Sequence, residues 1–127
     1  ANLLSDGITT VYVSRGKDDV AAQLTIAAVN AEDAEANLAQ LLQIYDEGIT
    51  KPLFLPPKAA RDFIEASQTR KEDSAVHFAL QAWLKDDARA SDRHWERLFT
   101  PAAAFDAAFR SMAKTVWQPL LEACRDE

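Results

Sequence analysis

The chain has 127 residues, 48% hydrophobic and 27% charged, with a net charge of −6. Such a composition fits one globular domain that buries roughly two-thirds of its unfolded surface without staples. The acidic balance argues against autonomous binding of DNA or RNA, where affinity comes largely from phosphate neutralisation.

One cysteine, Cys124, allows no disulfide within a monomer and suits a reducing compartment. No signal peptide is visible, and no run approaches the roughly 18 apolar residues of a membrane span. The chain begins Ala1-Asn2. Either an initiating methionine was removed or this is a piece, expected to be C-terminal, of a much longer chain.

Thr9-Thr10-Val11-Tyr12-Val13 is rich in β-branched and aromatic residues and reads as a strand. Gly16-Lys17-Asp18-Asp19 reads as a turn, and Leu24 to Val29 as a second strand. The two are expected to pair as a hairpin over about 8–29. A lone hairpin is marginal in water, so it must lean on other elements. Its free edge tends to pair with another chain, so the isolated piece is expected to self-associate.

Asn30 caps the next helix, with Glu32 and Asp33 in its first turn. Its apolar face is Ala34, Leu38, Leu41, Leu42 and Tyr45, opposite Glu32, Asp33, Asn37, Gln40 and Gln43. Gly48 offers a left-handed cap at its end. Pro52, Pro56 and Pro57 then hold Leu53-Phe54-Leu55 extended between them. An apolar strip that cannot be helical must find a groove to fill.

Pro57 can open a short helix with Ala59, Ala60, Phe63 and Ile64 inward. Glu72 to Lys85 forms a third, with a stripe of Val76, Ala79, Leu80 and Trp83 widened by Phe78, Ala82 and Leu84. A helix apolar over most of its circumference is expected at the centre of a fold. A charged loop spans 86–92, and Ser91 or Asp92 caps a short helix with Trp95, Leu98 and Phe99. Thr100-Pro101 should start the last helix, hydroxyl as N-cap and proline at N1. Its stripe is Ala102, Phe105, Phe109, Met112, Val116 and Leu120, and Pro119 should kink or end it near Val116 to Trp117. Cys124 then reads as a free thiol on that helix.

No active site emerges from these residues. Gly7, Gly16 and Gly48 begin no phosphate-cradling loop, and no Gly-x-Ser-x-Gly elbow exists. His77 reads as a core or boundary histidine. His94-Trp95-Glu96 has the outline of a metal-site triplet but lacks the cysteine pair that should follow. A metal-dependent nuclease of the restriction-enzyme type needs an Asp on one strand and an Asp or Glu two residues before a Lys on the next. Segments 8–15 and 21–29 carry no carboxylate, and no Asp-x-Lys or Glu-x-Lys occurs anywhere. Asp18, Asp19, Asp86 and Asp87 fall in loops and read as solvated turn residues. Arg89, Arg93 and Arg97 lie among acids and read as a salt-bridged face, with a phosphate-contacting ridge as the alternative. Trp83, Trp95 and Trp117 fall on apolar stripes as core or interface anchors.

Several segments, taken in order, resemble the C-terminal region of the gamma subunit of exodeoxyribonuclease V, the RecC family. They are Tyr45-Asp46-Glu47-Gly48, Lys51-Pro52-Leu53-Phe54-Leu55 and Pro56-Pro57-Lys58. Then come Ala79-Leu80-Gln81-Ala82-Trp83, His94-Trp95-Glu96-Arg97-Leu98-Phe99, and Phe105 onward with Trp117-Gln118-Pro119-Leu120-Leu121. The resemblance spans about residues 8–123. It implies a non-catalytic scaffold in a heterotrimeric helicase–nuclease that processes double-strand breaks for recombination in the cytoplasm. It further implies RecD-type and RecB-type helicase subunits as partners, and DNA reached only through the parent complex. No cofactor and no membrane are expected.

The expected fold is α+β and mainly helical: one hairpin, then about five helices, as a single domain resembling the C-terminal part of a degenerate restriction-endonuclease-like fold. The candidate interaction or packing residues are Leu53, Phe54, Leu55, Trp83, Trp95, Arg97, Phe99 and Trp117. Two alternatives stay open: a metal-dependent nuclease or hydrolase using the loop carboxylates, and a stand-alone helical protein-binding module.

Overall fold

The computed structural model describes residues 8–15, 21–85 and 94–126. Strand β1 (Thr10–Arg15) pairs antiparallel with β2 (Ala21–Ile26), Thr10 opposite Ile26 and Arg15 opposite Ala21. Among the described residues six helices follow: α1 (Ala31–Thr50), α2 (Pro57–Ser67), α3 (Glu72–Lys85), α4 (His94–Leu98), α5 (Pro101–Ala104) and α6 (Ala107–Ala123). The predicted α+β, mainly helical class is the observed one. The turn at 16–19, the loop at 86–92 with its capping residues, and Arg89 and Arg93 lie outside the described residues.

The sheet has a third strand that local pattern did not announce. Strand β3 (Cys124–Asp126) runs on directly from α6 and pairs antiparallel with β2, giving the order β1-β2-β3. A backbone bond from Ala27 N–H to the Ala123 carbonyl, 2.8 Å, closes the junction. Cys124 is therefore not on the last helix; it is that helix's C-cap and the first residue of β3. The absence of carboxylates noted in the first two strands holds for β1 and β2 only, since β3 brings Asp126 into register with Leu24.

The core is made where α2, α3 and α6 meet. Half of its members among the described residues are alanines: Ala59, Ala60, Ala66, Ala75, Ala79, Ala104 and Ala113. Small side chains let helix axes approach, and Phe54, Phe63, Trp83, Phe105 and Phe109 fill what remains. In α2 the buried set is Ala59, Ala60, Phe63, Ile64 and Ala66, the predicted face plus one turn, and Pro57 stands in its first turn as expected. In α3 the stripe is narrower than predicted. Val76, Ala79 and Trp83 are buried, but Phe78 and Leu84 are 42% and 44% exposed, so α3 packs on one side only. The Arg70 guanidinium lies 4.5 Å over the Phe78 ring and covers part of it. His77, expected in the core or at its boundary, is exposed beside it, because α3's buried side is set by Ala75, Val76 and Ala79.

Acids in the first turn of α3 meet bases on α6. Arg110 Nη1 donates to Asp73 Oδ1 at 2.9 Å and lies 3.7 Å from Glu72, and Lys114 Nζ donates to Glu72 Oε2 at 2.9 Å. Arg110 and Lys114 are one helical turn apart, so two successive turns of α6 are tied to one helix start.

Four predicted details of the helices need correction. Gly48 is not a left-handed cap. It lies inside α1, which runs to Thr50 and ends at an extended Lys51, whose N–H bonds the Glu47 carbonyl; Pro52 provides the stop. The predicted final helix is two helices. Thr100 precedes α5 but makes no side-chain cap bond, and the chain breaks at Phe105 before Asp106 caps α6 by accepting from Phe109 N–H at 2.9 Å. Of the two outcomes expected at Pro119, a kink or an end, the end is not observed, since α6 continues to Ala123. The bond lost at proline is confined to one turn, while Ala113, Trp117 and Leu121 hold α6 to the core on either side.

Helix α1 leaves its apolar face uncovered. It forms where expected, with the Asn30 side chain accepting from Asp33 N–H at 2.8 Å, but none of its residues is buried. Gln40, Gln43, Ile44 and Glu47 face the groove toward α6, whereas Leu38, Leu42, Tyr45 and Ile49 are 57%, 55%, 67% and 69% exposed. The apolar face points outward.

Candidate interaction site

The Leu53-Phe54-Leu55 strip positions the centre of the molecule. Held extended from Pro52 to Pro56, it delivers Phe54 into a cage of rings while Pro56, itself fully buried, hands the chain on to α2. Phe54 stands edge-on to Trp95 at 5.4 Å and to Phe99 and Phe105 at 5.2 Å, with Phe109 at 5.9 Å. Trp83 and Trp95 themselves meet at 6.4 Å, nearly perpendicular. Edge-to-face pairs of this kind add about 0.5–1.5 kcal/mol each beyond the area they bury. Four of the eight predicted site residues, Phe54, Trp83, Trp95 and Phe99, thus converge on one point drawn from the strip, α3, α4 and the residue after it.

Leu53 and Leu55 flank that point, half-buried. Trp117 is half-buried on α6 against the same core but makes no ring contact with the cluster. Arg97 is exposed on α4. The helix stripe Phe105 and Phe109, read from sequence only as periodicity, completes the cage. The exposed α1 stripe was visible as an apolar face, but nothing in its spacing said that it would stay uncovered.

Beside the cage a groove of about 760 Å³ opens between α1 and α6, floored by Phe54, Phe109 and Met112. Its charged groups are already engaged: Glu47 pairs with Lys51 at 3.2 Å, and Asp106 caps α6. Among the described residues no polar or charged side chain is buried, and no group of three His, Cys, Asp or Glu could hold a metal ion. The carboxylates of the nuclease alternative, Asp18, Asp19, Asp86 and Asp87, lie outside the described residues. Among the described residues, no helix is long and apolar enough to cross a membrane.

The cage therefore fixes shape, and the apolar surface open to a partner lies elsewhere. Val11, Tyr12 and Val13 of β1 are 51%, 61% and 64% exposed, on both faces of the sheet. They add to the α1 stripe a second uncovered apolar region, of the kind that marks interaction sites on folded domains.

No curated protein matches the chain, and no solved structure does. A family model described as the RecC C-terminal domain matches residues 4–68, from the hairpin through the proline strip to the end of α2. That is just over half of the 127 residues. The chain belongs to the RecC C-terminal domain family, and membership implies a role within the RecBCD exodeoxyribonuclease V complex.

Proposed function

We propose that the chain is a non-catalytic scaffold domain that docks onto the RecD-type and RecB-type helicase subunits of exodeoxyribonuclease V in the cytoplasm. DNA reaches it only through the assembled complex. The supporting observation is the division of apolar residues. The aromatics of the Phe54 cage are spent on internal packing, while Val11, Tyr12, Val13, Leu38, Leu42, Tyr45 and Ile49 are each more than half exposed. A domain that folds around one cluster and leaves a second set uncovered is built to be covered by neighbours. The net charge of −6 favours a protein neighbour over nucleic acid.

Co-expression with the two helicase subunits tests the reading. Retention of the chain through affinity purification on either subunit is the expected result, and its loss from both overturns it. Calorimetric titration with magnesium or manganese addresses the nuclease alternative. Micromolar binding would favour that alternative, and the scaffold reading expects none.

A further inference from the structure

We propose that the outward stripe of α1 inserts into an apolar groove on a separate protein partner whose rim is basic. The proposal deepens the scaffold reading, and rests on it, by naming the surface and the chemistry of what covers it. Leu38, Leu41, Leu42, Tyr45 and Ile49 recur at i, i+3, i+4, i+7 and i+11, the spacing by which an amphipathic helix fills a groove. The helix is made ready in advance: Asn30 and Asp33 close its start, Lys51 and Pro52 its end. A preformed helix docks without the ordering cost of a segment that must fold on binding. The side turned toward α6 is mostly polar, so the molecule's own body does not compete for the stripe.

Charge selects the occupant. From 31 to 50 the helix carries Glu32, Asp33, Glu35, Asp46 and Glu47 and no Lys or Arg. Glu35 and Asp46, about three turns apart, fall along the same flank of the stripe. A second α1 laid against the first would bring like charges together around the apolar contact, and DNA would be repelled outright. A groove edged with Lys or Arg complements both the stripe and its flank.

Binding of the chain to the RecB-type and RecD-type subunits, measured by calorimetry across salt concentrations, tests this. Leu42→Ser/Tyr45→Ser should weaken binding at least about tenfold. Glu35→Lys/Asp46→Lys should weaken it severalfold and flatten its salt dependence. No α1 residue is buried, so both variants stay folded, their unfolding midpoints shifted only by the small difference in helix preference, and Leu38→Ser/Ile49→Ser repeats the stripe test independently. If wild type binds and the stripe variants bind equally well, the α1 site is wrong while the scaffold reading stands. If wild type binds neither subunit, both fall. If the charge reversal tightens binding, the rim is not basic. If the stripe variants instead dissolve a homodimer, the occupant is a second copy; either result overturns the proposal.

Discussion

Phe54 meets Trp83 edge to face, ring centroids 6.0 Å apart and planes at 87°. The strip between the prolines and the middle helix are thereby joined at a residue that also touches α4, α6 and the Phe105 junction. Phe54→Ala empties a cage whose walls come from segments far apart in sequence and cannot collapse together. A loss of about 3–5 kcal/mol is expected, with Phe54→Leu costing much less. Denaturant midpoints measure both. Equal midpoints for Phe54→Ala and wild type would mean that the cage is not the structural centre.

Gly48 gives a prediction of opposite sign. It sits within α1, and a Cβ there would meet Leu53 Cδ1 at 3.6 Å, an ordinary contact. Gly48→Ala should therefore stabilise by about 0.5–1 kcal/mol, the helix-interior preference of alanine. Had the residue been a left-handed cap, the same change would destabilise. The direction of the melting shift separates the two.

Asp106 and Thr100 are a matched pair of helix starts with different chemistry. Asp106 Oδ1 accepts from Phe109 N–H, whereas Thr100 makes no side-chain cap bond. Asp106→Ala should cost about 1 kcal/mol, and Thr100→Ala well under half of that. Equilibrium unfolding of the two variants side by side is the measurement. A larger loss at Thr100 would place the start of the long helix at Pro101 after all.

These contrasts show what the residues could and could not declare. The start of α2 at Pro57 and the span of α3 from Glu72 to Lys85 were legible because proline at a first turn and acids at a helix start act locally. The strip was legible as an object needing a groove, and Trp83, Trp95 and Phe99 as apolar anchors. That they share one cage with Phe105 and Phe109 was not, because the cage is closed by tertiary contacts. Periodicity showed that α1 has an apolar face but is silent about what lies beneath it. The break at Asp106 was hidden by the flanking alanines, which suit a helix on both sides. Strand β3 is three residues long, too short for alternation, and exists by pairing with β2 about a hundred residues earlier in the chain.

The ion pairs between α3 and α6 are expected to matter little. Asp73 is 90% exposed where Arg110 meets it, and Glu72 and Lys114 are close to half exposed. Asp73→Ala should shift stability by under about 1 kcal/mol, and molar salt should erase the difference. A salt-insensitive loss well above that would show the pairs to be structural.

The outer edge of β1 has no strand partner among the described residues, and its exposed Val11, Tyr12 and Val13 offer β-prone side chains on both faces. Pairing of one β1 with another satisfies backbone groups that otherwise face water. Light scattering of the isolated chain should therefore show self-association that grows with concentration. Val13→Lys, a charge of the kind that natural sheets place on exposed edges, should return it to the monomer. The wild-type chain remaining monomeric at high concentration would mean that the edge alone is not adhesive. Persistence of the oligomer in Val13→Lys would instead move the contact to another surface.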